Sequence, residues 1–152
     1  MSIVMTKVPF NSYIDALYHA RDTDGRVVNS LSTPAELRAK VVNYYMQKAD
    51  EYGRALSAEE FHSEHVIVRV AYQGTEPVAG YLVVGGELVG LFSLARGKGD
   101  WIMGHAVSDG ADHLDCFAEP ALLKLYHKHG FKIHHSEANY DPAGLPVVYM
   151  SR

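Results

Sequence analysis

Cysteine is almost missing from this chain: Cys116 is the only one in 152 residues. A single thiol cannot form a disulfide within the chain, and so low a count fits a reducing cytoplasm, the expected location. Long apolar runs are missing too. No stretch reaches the roughly 18 apolar residues a membrane span needs. The opening MSIVMTKVPF has no basic region followed by an apolar stretch, so no secretory signal is expected. Positive charge is in short supply: 14 Lys and Arg against 18 Asp and Glu give a formal charge of -4. That balance counts against nucleic-acid binding driven by overall charge. Nine histidines are present, but none has metal-ligand spacing. Cys-x-x-Cys and His-Glu-x-x-His are absent, and the pairs His62/His65, His127/His129 and His134/His135 do not converge, so no metal is expected. Repeats, low-complexity tracts and linkers are lacking as well. With 47% apolar and 21% charged residues, the composition is that of one globular domain over residues 1–152.

The hydrophobic pattern is helical first and strand-like afterwards. Phe10, Tyr13, Ile14, Leu17 and Tyr18 fall at i, i+3, i+4, i+7, i+8 and predict a helix over residues 9–21, with Pro9 in its first turn and Gly25 in the loop beyond. Thr33-Pro34-Ala35-Glu36 is a capping box that opens a second helix, carrying Leu37, Val41, Tyr44, Tyr45 and Tyr52 and stopped by Gly53. Ser57 to Glu60 repeats the capping pattern and is expected to start one further helical turn. The period then changes. HVIVRVAYQ (65–73), VAGYLVV (78–84) and ELVGLFSLA (87–95) predict three strands, the last two joined by the two-residue turn Gly85-Gly86, and together an antiparallel meander. A helix over 100–108, a buried strand over 112–118, a helix from Pro120 to Gly130 and strands over 131–140 and 146–151 complete the chain. The order is α-α-βββ-α-β-α-ββ. Strands separated by a crossover helix are expected to be parallel neighbours, so the sheet is mixed.

The sharpest local feature is the link Arg96-Gly97-Lys98-Gly99 between a strand and a helix. Glycines let the backbone approach a ligand. The first N–H groups of a helix lack internal partners, and with the helix dipole they form an anion site suited to a pyrophosphate. Taken alone, such a link is more often a plain turn.

Three features together widen the argument. Arg96-Gly97-Lys98-Gly99 resembles the phosphate loop of the GCN5-related N-acetyltransferases (GNAT), whose pattern is Arg or Gln, two residues, Gly, one residue, Gly or Ala. Leu114-Asp115-Cys116-Phe117 stands where that family has its fifth strand, and Leu125-Tyr126 to Gly130-Phe131 resembles its Leu-Tyr, three residues, Gly-Phe ending. The element order is also that family's order. The resemblance covers residues 65–151 through motifs and the N-terminal helices through topology alone.

The resemblance implies an α/β (α+β) fold with a mixed twisted sheet, and an acyltransferase that uses acetyl-CoA as cosubstrate. It implies that Arg96, Gly97, Lys98 and Gly99 hold the pyrophosphate. The pantetheine then runs beside Leu91, Phe92, Ser93 and Leu94, in a splay between that strand and residues 114–117. Tyr126 matches the family's tyrosine that protonates the leaving thiolate, a role a phenol near sulfur can fill. A backbone N–H of the third meander strand would steady the developing oxyanion. The acceptor would be an amine, on a small molecule or a protein, attacked directly in a ternary complex. Members of this fold often dimerise, so a homodimer is a further expectation.

The base is chosen from Glu87, Asp112, Asp115, His105 and His113. Alternation puts His113, Asp115 and Phe117 on one face of their strand and Leu114 and Cys116 on the other, and Asp115 is the first choice, a solvated or helix-capping carboxylate being its alternative. Tyr126 also fits the apolar stripe of its helix as a core residue. Cys116 in an apolar strand is expected to be a small buried hydrophobe rather than a nucleophile. The sequence departs from the family pattern at Asp100 and Trp101 in the phosphate loop and at Glu119, where Asn is frequent. Asp100 and Trp101 are what favour the alternative function, a non-catalytic protein of this fold that engages a macromolecular partner.

Overall fold

A computed structural model describes residues 2–24 and 33–152; the loop position expected for Gly25 lies outside them. The order is β1 (Ile3–Lys7), α1 (Phe10–Asp24), α2 (Pro34–Tyr52), α3 (Ala58–Glu64), β2 (Val66–Gln73), β3 (Glu76–Val84), β4 (Glu87–Ser93), α4 (Gly99–Ser108), β5 (His113–Phe117), α5 (Pro120–Lys128), β6 (Lys132–Glu137) and β7 (Val147–Ser151). The expected order holds, with a strand added in front and a short helix after α2. β1 escapes a sequence reading because IVMTK lies on the sheet edge and buries nothing fully.

Local chemistry sets the boundaries. Thr33 accepts the Glu36 N–H while Glu36 reaches back to the Thr33 N–H, closing the capping box, and Gly53 ends α2 in the left-handed region. Gly85 and Gly86 both have positive φ, 56° and 85°, as a type I′ hairpin turn requires.

The seven strands form one sheet in the order β1-β2-β3-β4-β5-β7-β6. β4 and β5 are parallel and the other neighbours antiparallel. The crossover rule holds across α4 and fails across α5, where β7 is inserted between β5 and β6. Burial explains this. β7 carries Val148 and Met150 into the core, whereas all six residues of β6 (KIHHSE) are exposed and suit an edge.

Helices cover the two faces unequally. On one face α1, α2 and α3 bury Tyr13, Leu17, Leu37 and Phe61 against Val66, Val68, Val70, Leu82 and Phe92 of β2 to β4. On the other, α4 and α5 bury Ile102, Met103 and Tyr126 against Tyr81, Leu91, Leu114, Cys116 and Met150. No fully buried residue of β5, β6 or β7 faces α1 to α3, so among the described residues nothing packs over that half of the sheet on the α2 side.

Candidate active site

The site begins with one glycine. Across β3 and β4 the register runs Gly80 to Phe92 and then Leu82 to Val89, so Gly90 and Leu91 together oppose Tyr81. This is a β-bulge, and Gly90 holds it at φ 63°, a conformation costly for any residue with a Cβ. The buried Tyr13 hydroxyl of α1 donates to the Gly90 carbonyl at 2.5 Å. The bulge bends β4 beside β5. Those two strands pair only where Glu87 meets His113, fastened by Asp112 and His113 N–H groups on the Gly86 carbonyl at 2.8 and 3.3 Å. Beyond that joint they diverge, leaving a wedge whose β4 edge has no strand partner among the described residues.

The link beyond β4 lies at the open end of the wedge. Ser93 is half-buried, its hydroxyl turned back to the Ala95 carbonyl and amide. Phe92 is wholly buried with its ring against Tyr13, 5.9 Å between centroids, so it offers the wedge backbone and not side chain. Leu94 packs against the α1–α3 core, its N–H on the Val78 carbonyl at 2.7 Å. Strand geometry stops at Ser93, two residues before the expected end. Arg96 and Gly97 form the turn, Gly97 at φ 72° with open space where a Cβ would stand. Lys98 is the N-cap of α4, and its side chain makes no capping hydrogen bond to the helix's first amides. A Cβ on Gly99 would meet the Leu125 methyls at 3.2 Å, so glycine lets α4 and α5 approach here.

The departures from the family pattern have structural partners. Asp100 is paired with Lys128 at 2.7 Å and with His129 at 3.0 Å, and these contacts hold its carboxyl below the ordinary range. Trp101 packs against the α4–α5 core and lies edge-on to His105, 4.8 Å between ring centres. Glu119 caps α5 by accepting the Leu122 N–H at 2.9 Å.

Tyr126 and Asp115 stand on opposite faces of the sheet. Tyr126 is fully buried on the α4–α5 side near Cys116, and its hydroxyl has no hydrogen-bond partner among the described residues. Burial first, then the neighbouring thiol, raises its pKa far above the usual phenol value. Burial likewise pushes the Cys116 thiol up to about 11, which keeps it protonated and suits the expected inert hydrophobe. Asp115 lies on the α2 side with His113 and Phe117, as alternation requires. Burial, and then the charge of Glu87, raise its pKa, while Lys40 opposes them.

Sequence reasoning missed the α2 wall of this site. Lys40 binds both carboxylate oxygens of Glu87, at 2.9 and 2.8 Å. It lies with Asn43 and Tyr44 along a groove of about 690 Å³ whose other side is Glu87, His113 and Asp115. The signal was the row Glu36, Lys40, Asn43 and Gln47 beside the apolar stripe, a polar row that reads as solvated until the sheet half beneath it is known to be open. The bulge had a visible signal too, an isolated glycine inside an apolar strand.

A seven-stranded mixed sheet, its parallel pair wedged open by a bulge in front of an uncapped helix N-terminus, is the GNAT fold. Solved structures agree along the whole chain. An acetyltransferase of the GNAT family from Streptococcus pneumoniae superposes with a TM-score of 0.58 at 15% identity, covering 99% of this chain and 98% of that one. A ribosomal-protein-alanine N-acetyltransferase from Escherichia coli gives 0.62 at 14%, covering 98% and 92%. A ribosomal-protein α-N-acetyltransferase in complex with coenzyme A gives 0.55 at 9%, covering 100% and 94%. No protein-family model and no curated protein sequence matches the chain. At these identities the likeness concerns the fold.

Proposed function

We propose that the chain is an acyl-CoA-dependent N-acyltransferase domain that moves an acetyl group from acetyl-CoA to an amine by direct attack. The observation that carries this reading is the Tyr126 hydroxyl, buried near Cys116 of β5 and unpaired among the described residues. A buried polar atom without a partner costs free energy, so its presence points to a partner that arrives with a ligand. A thioester sulfur in the wedge is such a partner.

The rest of the site suits the same ligand. The open β4 edge offers backbone groups beside Leu91 to Leu94 to an extended amide-bearing chain. The amides of Gly99 and Asp100, with Arg96 and Lys98, suit a pyrophosphate. Asp100 does not oppose that role, because Lys128 balances its charge and His129 also holds its carboxylate. Acetyl-CoA supplies the activated carbonyl. The chain's own work is to hold it and to move two protons. Asp115, a carboxylate with a raised pKa, takes one from the amine, and Tyr126 gives one to the departing sulfur from the opposite face. An N–H on the free β4 edge near the bulge takes up charge developing on the carbonyl oxygen.

The test is release of free CoA thiol from acetyl-CoA by the purified protein, with and without a panel of amines. Amine-dependent release supports the proposal. No release with any amine, and no binding of acetyl-CoA, would leave the fold serving as a binding module instead.

A further inference from the structure

The groove between α2 and the β4–β5 joint has an unbalanced charge. Its walls hold three carboxylates, Glu36, Glu87 and Asp115, and one lysine, Lys40. Lys40 is fully committed, its ammonium on both oxygens of Glu87. His113 is turned to Asp112 at 2.6 Å. Asp115 is therefore half-buried beside a second carboxylate with no cation bonded to it, and the charge of Glu87 acts on it. A cation arriving in this groove relieves that repulsion, and an anion adds to it. The neutral lining fits an alkylammonium: Asn43 and Gln47 are uncharged amides, and the Tyr44 ring already takes one ammonium, Lys48, 5.4 Å from its centre.

A second carboxylate narrows the class. Glu36 lines the same groove as Asp115, one turn before Lys40 on α2. An amine that is deprotonated near Asp115 can keep a second, charged nitrogen near Glu36. We propose that the acceptor is an aliphatic diamine or polyamine, held with its far nitrogen at Glu36 and its reacting nitrogen at Asp115. This rests on the transferase reading above and specifies its substrate. An amino acid would bring its own carboxylate into a groove that already has an excess of them.

The experiment measures thiol release at fixed acetyl-CoA with 1,4-diaminobutane, spermidine, butylamine, 4-aminobutanoate and a peptide with a free N-terminus. The diamine or spermidine should exceed 4-aminobutanoate in kcat/KM by at least about tenfold. Glu36→Gln keeps a side chain able to close the capping box, so α2 survives. It should raise KM for 1,4-diaminobutane severalfold more than for butylamine, with kcat for the diamine little changed. Preference for 4-aminobutanoate or the peptide, or equal effects of Glu36→Gln on the mono- and diamine, overturns the proposal. Calorimetric titration with acetyl-CoA alone separates the two levels. A protein that binds acetyl-CoA but rejects the diamines refutes the acceptor class only, and one that binds no acetyl-CoA refutes the transferase reading and this one with it.

Discussion

Replacing Tyr126 by phenylalanine should make the protein more stable and less active. The ring is wholly buried, edge-on to Phe131 at 6.2 Å between centroids, and Phe keeps all of that packing. What is lost is a hydroxyl with no partner. An unsatisfied buried hydroxyl costs about 1–3 kcal/mol, and the void left by one oxygen returns part of it, so a net gain of about 1 kcal/mol is expected. For a chain of this length that raises Tm by roughly 3 °C. Under the proposed function, removing Tyr126 as the proton donor should slow acetyl transfer by about 10²-fold or more, with acetyl-CoA affinity little changed. Urea unfolding gives the first quantity, thiol release the second and calorimetry the third. A functional group tolerated at a cost in stability leaves this opposed signature. The reasoning is refuted if Tyr126→Phe destabilises by more than about 1 kcal/mol, which would mean that the hydroxyl bonds within the fold, or if turnover is unchanged.

Three other outcomes are expected. Tyr13→Phe should cost about 1–3 kcal/mol by orphaning the Gly90 carbonyl. Gly90→Ala should cost more, because its Cβ collides with the Tyr13 hydroxyl at a left-handed backbone position. The double variant, freed of that collision, should cost less than the sum in urea titrations, and additivity would deny the bulge contact. The Asp115 carboxyl, followed by NMR, should titrate above the ordinary aspartate value, lower in Glu87→Gln and higher in Lys40→Met, since the first removes a like charge and the second a cation; shifts of the opposite sign would contradict the groove's electrostatics. Asp109 is the reverse case. Burial alone would raise its pKa, but the Arg69 guanidinium at 2.9 Å and the Tyr81 hydroxyl at 2.5 Å outweigh it and hold the carboxyl below the ordinary range. A depressed folded-state pKa stabilises above the unfolded value, and that stabilisation is lost as pH falls through the folded one. The stability gap between the wild type and Arg69→Met should therefore shrink below about pH 4, and a gap that widened in acid would refute the assignment.

What could be read from the sequence was whatever is encoded locally. Caps and glycines wrote themselves plainly: Thr33 with Glu36, Gly53, the Gly85-Gly86 turn and Gly130 all stand where chain chemistry puts them. Strand alternation alone puts Asp115 and Cys116 on opposite faces of β5. What was hidden depends on partners distant in the chain. The edge strand β1 has too little buried apolar surface to announce itself. The place of β7 inside β6 is a competition between two strands for one berth, decided by Val148 and Met150. Asp100 reads as a repulsive charge until α5 brings Lys128 and His129 to it across 28 and 29 residues. Lys40 reads as a solvated helix face until Glu87, 47 residues on, is found under it.

The central claim is that the wedge and the α4 N-terminus hold acetyl-CoA, and calorimetric titration of the purified protein with acetyl-CoA tests it most directly, alongside Gly99→Asp. That variant puts a carboxylate at the first residue of α4 and against Leu125; its far-ultraviolet circular dichroism and urea midpoint establish that it is folded. The account predicts micromolar binding by the wild type, competition by free CoA, and loss of the heat in the folded variant. A folded wild type that gives no heat with acetyl-CoA, or a Gly99→Asp variant that binds it as well as the wild type does, would contradict it.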